Sequence, residues 1–253
     1  GDRNSPISVE HAYAFWKKFG GYKETLLDGI IADEFGGGYA EEAPAWTEAV
    51  LRIHKETGKS FYPYCGDLYL SPTLRPLLRA AVKTGGGIAW ERYLKEQPTT
   101  GAAWRLMQDS LVHGAEGWRE NAADVFHRLI TCFGYFAAPP ETHNAEPGAN
   151  FKVFMELETN MVATHPAFEG AGGFMRYISE FVDEETVRWA ARLSRHYGIE
   201  GNTTPSTDHP YNLTHITNPD FTHGTSGWTI VPAEEGSIRV GKMAGYGWLQ
   251  GRY

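Results

Sequence analysis

Two segments of the sequence carry closely spaced carboxylic acids, and paired carboxyl groups can perform acid/base hydrolysis. Asp33 and Glu34 end the first segment, and Glu156 and Glu158 stand near the end of the second. In such chemistry one protonated carboxyl group assists departure of the leaving group, while an ionised one attacks the substrate or activates water. The sequence therefore predicts a site in which acids from two distant parts of the chain meet.

The second segment, 151–159, alternates with the period of a β-strand. Its apolar side comprises Phe151, Val153, Met155 and Leu157, and its other side comprises Lys152, Phe154, Glu156 and Glu158. This pattern predicts a strand of a parallel barrel, with the apolar side against outer helices and the polar side directed into the mouth. Because Lys152 shares a side with Glu156 and could pair with it, Glu158 is the preferred catalytic residue.

Strand-like and helix-like patterns alternate along the first 200 residues. Strands are predicted at 26–34, 60–69, 88–94, 129–136 and 151–159, and helices at 9–19, 41–57, 72–83, 100–128 and 184–197. Such alternation favours an α/β fold with a parallel sheet. A complete (β/α)8 (TIM-type) barrel takes roughly 250 residues, so residues 1–201 are predicted to be a partial barrel, its C-terminal part. A doubly wound sheet is the rival, but Gly36-Gly37-Gly38 does not match its phosphate-binding turn.

The segment Asp28-Gly29-Ile30-Ile31-Ala32-Asp33-Glu34 resembles the fourth-strand motif of glycoside hydrolases with barrel folds. In many of these enzymes a carboxylate at this strand end is the proton donor. The resemblance is to barrel glycosidases in general, because Ile31 and Phe35 stand where the chitinase-type motif has acids. It implies that Glu34 is the acid/base, with Asp33 orienting Glu34 or holding substrate. Glu158, at the end of the other predicted strand, is then expected to be the nucleophile or base.

A change in composition after Gly201 predicts a linker at 202–215 and a separate module at 216–253. The Asn218-Pro219-Asp220-Phe221 turn, followed by Gly227-Trp228, resembles the opening of β-sandwich carbohydrate-binding modules. Such a sandwich takes about 100 residues, so the chain is expected to be a piece of a longer protein, secreted or located at the cell surface or in the periplasm.

Further polar and aromatic residues near predicted strand ends are candidates for substrate binding. They are Asp67, Glu91, Trp90, Glu156 and Tyr64. Acids and tyrosines can hydrogen-bond sugar hydroxyls, and aromatic rings can stack on sugar rings. Each of them can equally serve the packing or ion pairing of the protein interior.

Composition limits the classes of partner. The net charge is −8, and no Lys/Arg-rich run is present, which argues against nucleic acid as a partner. No apolar run is long enough to predict a membrane span. Cys65 and Cys132 are predicted to be buried thiols, and the spacing of Glu141, His143 and His165 matches no metal signature, so neither a metal nor another cofactor is predicted.

The sequence thus predicts a glycoside hydrolase acting on a carbohydrate substrate, an oligo- or polysaccharide. Two alternatives remain open: a non-catalytic carbohydrate-binding or surface-scaffold protein with a barrel fold, and a metal-dependent barrel hydrolase. The non-catalytic protein would lack two facing carboxylates in the barrel mouth. The metal-dependent hydrolase would show converging His and Asp ligands. The oligomeric state is left open.

Overall fold

Strands and helices alternate along the computed structural model, which describes residues 7–251 apart from 19, 36, 139–140, 178–180, 215–216, 219–222, 230–237 and 244–245. The strands are β1 Gly29–Ala32, β2 Ser60–Cys65, β3 Ile88–Arg92, β4 Leu129–Gly134, β5 Ala137–Ala138, β6 Glu141–Thr142, β7 Gly173–Tyr177, β8 Ile238–Met243 and β9 Tyr246–Gly251. The α-helices are α1 Val9–Lys17, α2 Gly20–Lys23, α3 Ala43–Thr57, α4 Arg75–Lys83, α5 Thr100–Met107, α6 His113–Ala122, α7 Phe151–Thr164 and α8 Glu184–Leu193.

Five of these strands form one parallel sheet in the order β1-β2-β3-β4-β7. The parallel register pairs Ile31 with Tyr62, Tyr64 with Ala89 and Glu91 with Cys132. The prediction of an α/β fold with a parallel sheet is therefore confirmed. The first four predicted strand positions are also confirmed, and their carboxyl ends lie at one edge of the sheet.

Local sequence signals explain where the helices begin and end. The Ser8 hydroxyl caps α1 by accepting a hydrogen bond from the His11 amide at 3.2 Å. Gly58 ends α3 in the left-handed conformation, with φ at 73°. The long helix predicted at 100–128 is α5 and α6, joined by a π-helical turn at Gln108–Val112.

Helices pack on one face of the sheet through aromatic side chains. Trp16 of α1 contacts Phe61 of β2 with ring centroids 5.4 Å apart. Trp90 of β3 lies so close to α6 that a Cβ on Gly114 would overlap its ring, so this position requires glycine. The other face carries the half-buried Glu91, together with the buried side chains of Tyr64 and Cys132.

The strand predicted at 151–159 is wrong, because these residues begin the 14-residue helix α7. The Asn150 side chain accepts the Lys152 amide at 3.2 Å as a helix cap, and the Asn150 carbonyl accepts the Phe154 amide at 3.0 Å. Apolar residues at both strand and helix spacings are buried, since this helix is enclosed on most sides. The fifth strand of the sheet is β7, in a region where no strand was predicted.

The chain divides into two compact units. The first comprises residues 1–92, 109–133 and 162–177, and the second comprises 93–108, 134–161 and 178–253. In the second unit the predicted linker is hydrogen-bonded to α7, because the Ser206 amide donates to Glu156 and the Thr203 carbonyl accepts from Asn160 at 3.2 Å.

Two features of the predicted sandwich module lie within the described residues, although residues 219–221 of its motif do not. Strands β8 and β9 pair as an antiparallel hairpin. Asn218, with φ at 49°, organises the turn of the motif, since its side chain bonds Gly224 and Ser226 and its carbonyl accepts the Trp228 indole N–H at 2.9 Å. A two-stranded hairpin is common to many β folds, so the sandwich stays a prediction.

Truncation of Phe154 tests the helical assignment of 151–164. As a strand residue Phe154 would face the barrel mouth, whereas in α7 it is fully buried and stacks on Phe151 at 6.2 Å. We expect Phe154→Ala to lower the free energy of unfolding by about 3–5 kcal/mol in urea denaturation. The control Leu26→Ala, at a side chain 90% exposed, should change it by less than about 0.5 kcal/mol. Equal, small effects would contradict the assignment.

Candidate functional site

Asp33 and Glu34 lie directly after β1, as the sequence predicts, at the carboxyl edge of the sheet. Both side chains are exposed. Glu34 adopts φ of 47°, a left-handed conformation that is uncommon for a residue with a side chain. The next residue fixes this turn, because the Phe35 amide donates to the Tyr64 carbonyl of β2 at 2.9 Å. Backbone strain of this kind concentrates at functional sites.

Glu91 is half-buried near the end of β3 and is electrostatically coupled to both acids that follow β1. Burial is the largest cause that raises the pKa of Glu91, and the negative charges of Glu34 and Asp33 raise it further. The neighbouring Arg92 acts in the opposite direction. Asp33, Glu34 and Glu91 therefore interact electrostatically, and the three are hereafter called the carboxylate cluster.

Cys132 and Tyr64 lie on the same face of the sheet as Glu91, and Tyr177 packs beside Tyr64. The Tyr64 hydroxyl lies 3.0 Å from the Cys132 sulfur, and the ring of Tyr177 packs on that of Tyr64 at 6.3 Å. Tyr64 is 5% exposed, whereas Tyr177 is 47% exposed. Burial raises the pKa of the Cys132 thiol to about 11, so this thiol is protonated and is not a nucleophile at neutral pH.

Trp90 and Asp67, both predicted to bind substrate, have structural partners instead. Trp90 is fully buried on the helix-covered face, so no sugar ring can stack on it. Its indole N–H donates to the Asp67 carboxylate at 3.0 Å. The Arg92 guanidinium pairs with the same Asp67 oxygen and lies 4.3 Å from the centre of the Trp90 ring. Tyr64, also predicted to bind substrate, is covered by Tyr177, so the accessible ring is that of Tyr177.

Glu156 and Glu158 do not stand at the end of a strand, because both lie within α7 and both are buried. Glu156 accepts hydrogen bonds from the Tyr197 hydroxyl at 2.9 Å and from the Ser206 amide. Its expected partner Lys152 pairs with Glu185 instead. Burial alone raises the pKa of Glu158 well above its ordinary value. The strand-end argument that favoured Glu158 as a nucleophile therefore does not apply.

A third buried acid, Glu96, was not identified from the sequence. It is 1% exposed, and its Oε2 accepts the Glu146 amide at 3.2 Å, while its Oε1 has no hydrogen-bond partner. Burial raises the pKa of Glu96 to about 8. The adjoining residue Gln97 accepts a hydrogen bond from the Tyr211 hydroxyl at 2.6 Å. Glu96 thus stands where three chain segments of the second unit join, which indicates a structural role.

Tyr177 and Arg176 of β7 were also missed, because no strand was predicted there. Arg176 lies over Phe133 and Phe174, at 5.8 and 5.1 Å from the ring centres, and burial lowers its pKa to about 9. The two aromatic residues Phe174 and Tyr177 after Gly173 favour a strand, but the run spans only five residues and does not alternate.

The histidine considered for metal binding, His143, is buried against Phe136 at 4.7 Å, and burial lowers its pKa to about 4. Among the described residues, no group of three or more His, Cys, Asp or Glu side chains is arranged to hold a metal ion. Within the same part of the chain, no helix is both long and apolar enough to cross a membrane.

Comparison with known proteins adds no relative: no protein-family model, curated protein or solved structure matches this chain. A functional assignment therefore depends on the geometry of the carboxylate cluster and its surroundings.

Replacing Glu96 tests its protonation in the folded protein. The folded pKa of Glu96, about 8, exceeds the unfolded value near 4.5. The free energy of unfolding that comes from protonation of Glu96 is therefore fully present below about pH 4.5 and is lost as pH rises to about 8. Each tenfold difference in proton affinity between the folded and unfolded states corresponds to roughly 1.4 kcal/mol of that stability. Glu96→Gln keeps an acceptor for the Glu146 amide without the charge.

We therefore expect the melting temperature of Glu96→Gln to decline less than that of the wild type between pH 5 and pH 8. The control Glu116→Gln, at an exposed position of α6, should follow the wild type. Parallel pH profiles for the wild type and Glu96→Gln would show that Glu96 has an ordinary pKa.

Proposed function

We propose that this protein is a glycoside hydrolase in which the carboxylate cluster performs acid/base catalysis. The observation that supports this most strongly is the electrostatic coupling of Glu91 to Glu34 and Asp33 across the ends of β1 and β3. Catalysis of this type needs one protonated and one ionised carboxyl group. A half-buried acid beside two exposed acids provides the two different environments that separate such roles.

In this mechanism Glu91 is the proton donor, because its raised pKa keeps it protonated to higher pH than an ordinary glutamic acid. Glu34 is the ionised partner that attacks the sugar or activates water, and Asp33 holds a sugar hydroxyl. Glu91 replaces Glu158 in the predicted pair, since Glu158 is buried within α7. The donor role consequently moves from Glu34 to Glu91.

Three features support a sugar as substrate. The exposed ring of Tyr177 lies beside Tyr64 near Glu91 and offers a platform for stacking. The acids stand at the carboxyl ends of parallel strands, where barrel enzymes carry their active sites. The segment 28–34 resembles a strand of barrel glycosidases. A (β/α) barrel, a carbohydrate-binding sandwich after it and a secreted location belong to the same proposal.

Hydrolysis of a panel of aryl glycosides and polysaccharides tests the proposal with the wild type, Glu34→Gln and Glu91→Gln. Each replacement removes a carboxyl group from the cluster, so we expect kcat to fall by about 10²-fold or more. The wild-type rate should decline as pH rises through the elevated pKa of Glu91. The control Glu48→Gln, on the exposed surface of α3, should retain full activity.

Full activity in both cluster variants would refute the catalytic assignment. Binding of polysaccharide by a wild type that hydrolyses no member of the panel would favour the carbohydrate-binding alternative.

A further inference from the structure

A cleft of about 740 Å³ runs along β1 in the first unit, and Asp33 is among the residues that line it. This volume is in the range of small-molecule binding sites. One wall is the strand itself, Gly29–Asp33, and the other comes from α1 and the start of α3. The cleft therefore adjoins the carboxylate cluster through a shared residue.

The wall opposite the strand is a group of closely packed aromatic rings. Trp46 contacts Phe15, Trp16 and Phe35 edge to face, with centroid distances of 5.7, 5.5 and 5.7 Å. Its indole N–H also donates to the Glu42 carboxylate at 3.1 Å, which fixes the ring. Such a surface is organised before a ligand arrives, so little order has to be imposed on binding.

Apolar side chains in the cleft remain accessible to a ligand. Ile31 is 52% exposed, Leu27 49% and Phe15 38%. Burying these surfaces against an apolar group would be favourable. The polar residues at the margin include the carboxylates Asp33 and Glu42. Two negative groups disfavour an anion and accept hydrogen bonds from hydroxyl groups.

We infer that this cleft binds the apolar aglycone of a glycoside, the non-sugar group released when the glycosidic bond is cleaved. This inference rests on the proposed function, because it places the sugar beside Glu91 and the bond at the junction marked by Asp33. The substrates are then glycosides with an aromatic or alkyl aglycone of small-molecule size. The sugar hydroxyls nearest the junction donate hydrogen bonds to Asp33.

Isothermal titration calorimetry with two probes that share one sugar tests the inference. The probes are n-octyl β-D-glucoside, kept below its micelle-forming concentration, and methyl β-D-glucoside. We expect the octyl compound to bind at least about tenfold more tightly, because only its chain can fill the cleft. Ile31→Ser and, as a second variant, Leu27→Ser should remove most of that difference.

The control Ile199→Ser makes the same chemical change at a side chain 81% exposed in the second unit and should leave binding unchanged. Circular dichroism would establish that each variant is folded. Equal affinities for the two probes, or an octyl preference unaffected by Ile31→Ser and Leu27→Ser, would overturn the inference. A concentration-dependent dimer that Ile31→Ser dissociates would also overturn it, since a second copy would then occupy the cleft.

The same titration with Glu91→Gln separates this inference from the proposed catalysis. Octyl-selective binding that persists in Glu91→Gln supports the cleft whether or not the wild type hydrolyses any glycoside. Hydrolysis without octyl selectivity would support the catalytic proposal and refute the inference that the cleft binds an aglycone.

Discussion

The register of the parallel strands is the constraint on which the candidate site depends. In a parallel sheet the strands run in the same direction, so the residues that follow them are collected along one edge. Here the pairing of β1 with β2 and of β2 with β3 places the acids after β1 near Glu91. A slip of one residue in β3 would turn Glu91 toward the helix-covered face and Trp90 toward the opposite face.

The helix-covered face in turn stabilises this register. Trp90 fills the space that Gly114 leaves open, and its indole is hydrogen-bonded to Asp67 at the end of the neighbouring strand. Arg92 neutralises the same carboxylate and lies over the Trp90 ring. Side chains predicted to contact substrate therefore serve to hold β3 in place, while the alternate residue Glu91 remains accessible. Trp90 and Glu91 have these different roles because successive side chains of a strand point to opposite faces of the sheet.

Four strands and the acids after β1 could be predicted from the sequence, because β-branched and aromatic runs bounded by Gly or polar residues are strong strand signals. The error at 151–159 has a specific cause: Phe151, Val153, Met155 and Leu157 satisfy the period of a strand, yet the residues also fit a helix enclosed on most sides. The deciding signals, the Asn150 cap and the apolar Met161 and Val162, lie outside that window.

Other features of the site depend on tertiary structure and could not be read from the sequence. The left-handed conformation of Glu34 is set by the bond from Phe35 to Tyr64, residues that are distant along the chain. The elevated pKa of Glu91 comes from burial and from charges that follow another strand, β1. The short strand β7, which supplies Tyr177, is recognisable only once β4 is in place beside it.

The coupling of Glu91 to the acids after β1 is the central claim, and a carboxyl titration by ¹³C NMR measures it directly. In the wild type, the Glu91 carboxyl should titrate above the ordinary range for glutamic acid. In Glu34→Gln its pKa should fall, because one of the two negative charges that raise it is gone. An ordinary pKa in the wild type, or a raised value that Glu34→Gln leaves unchanged, would contradict the account.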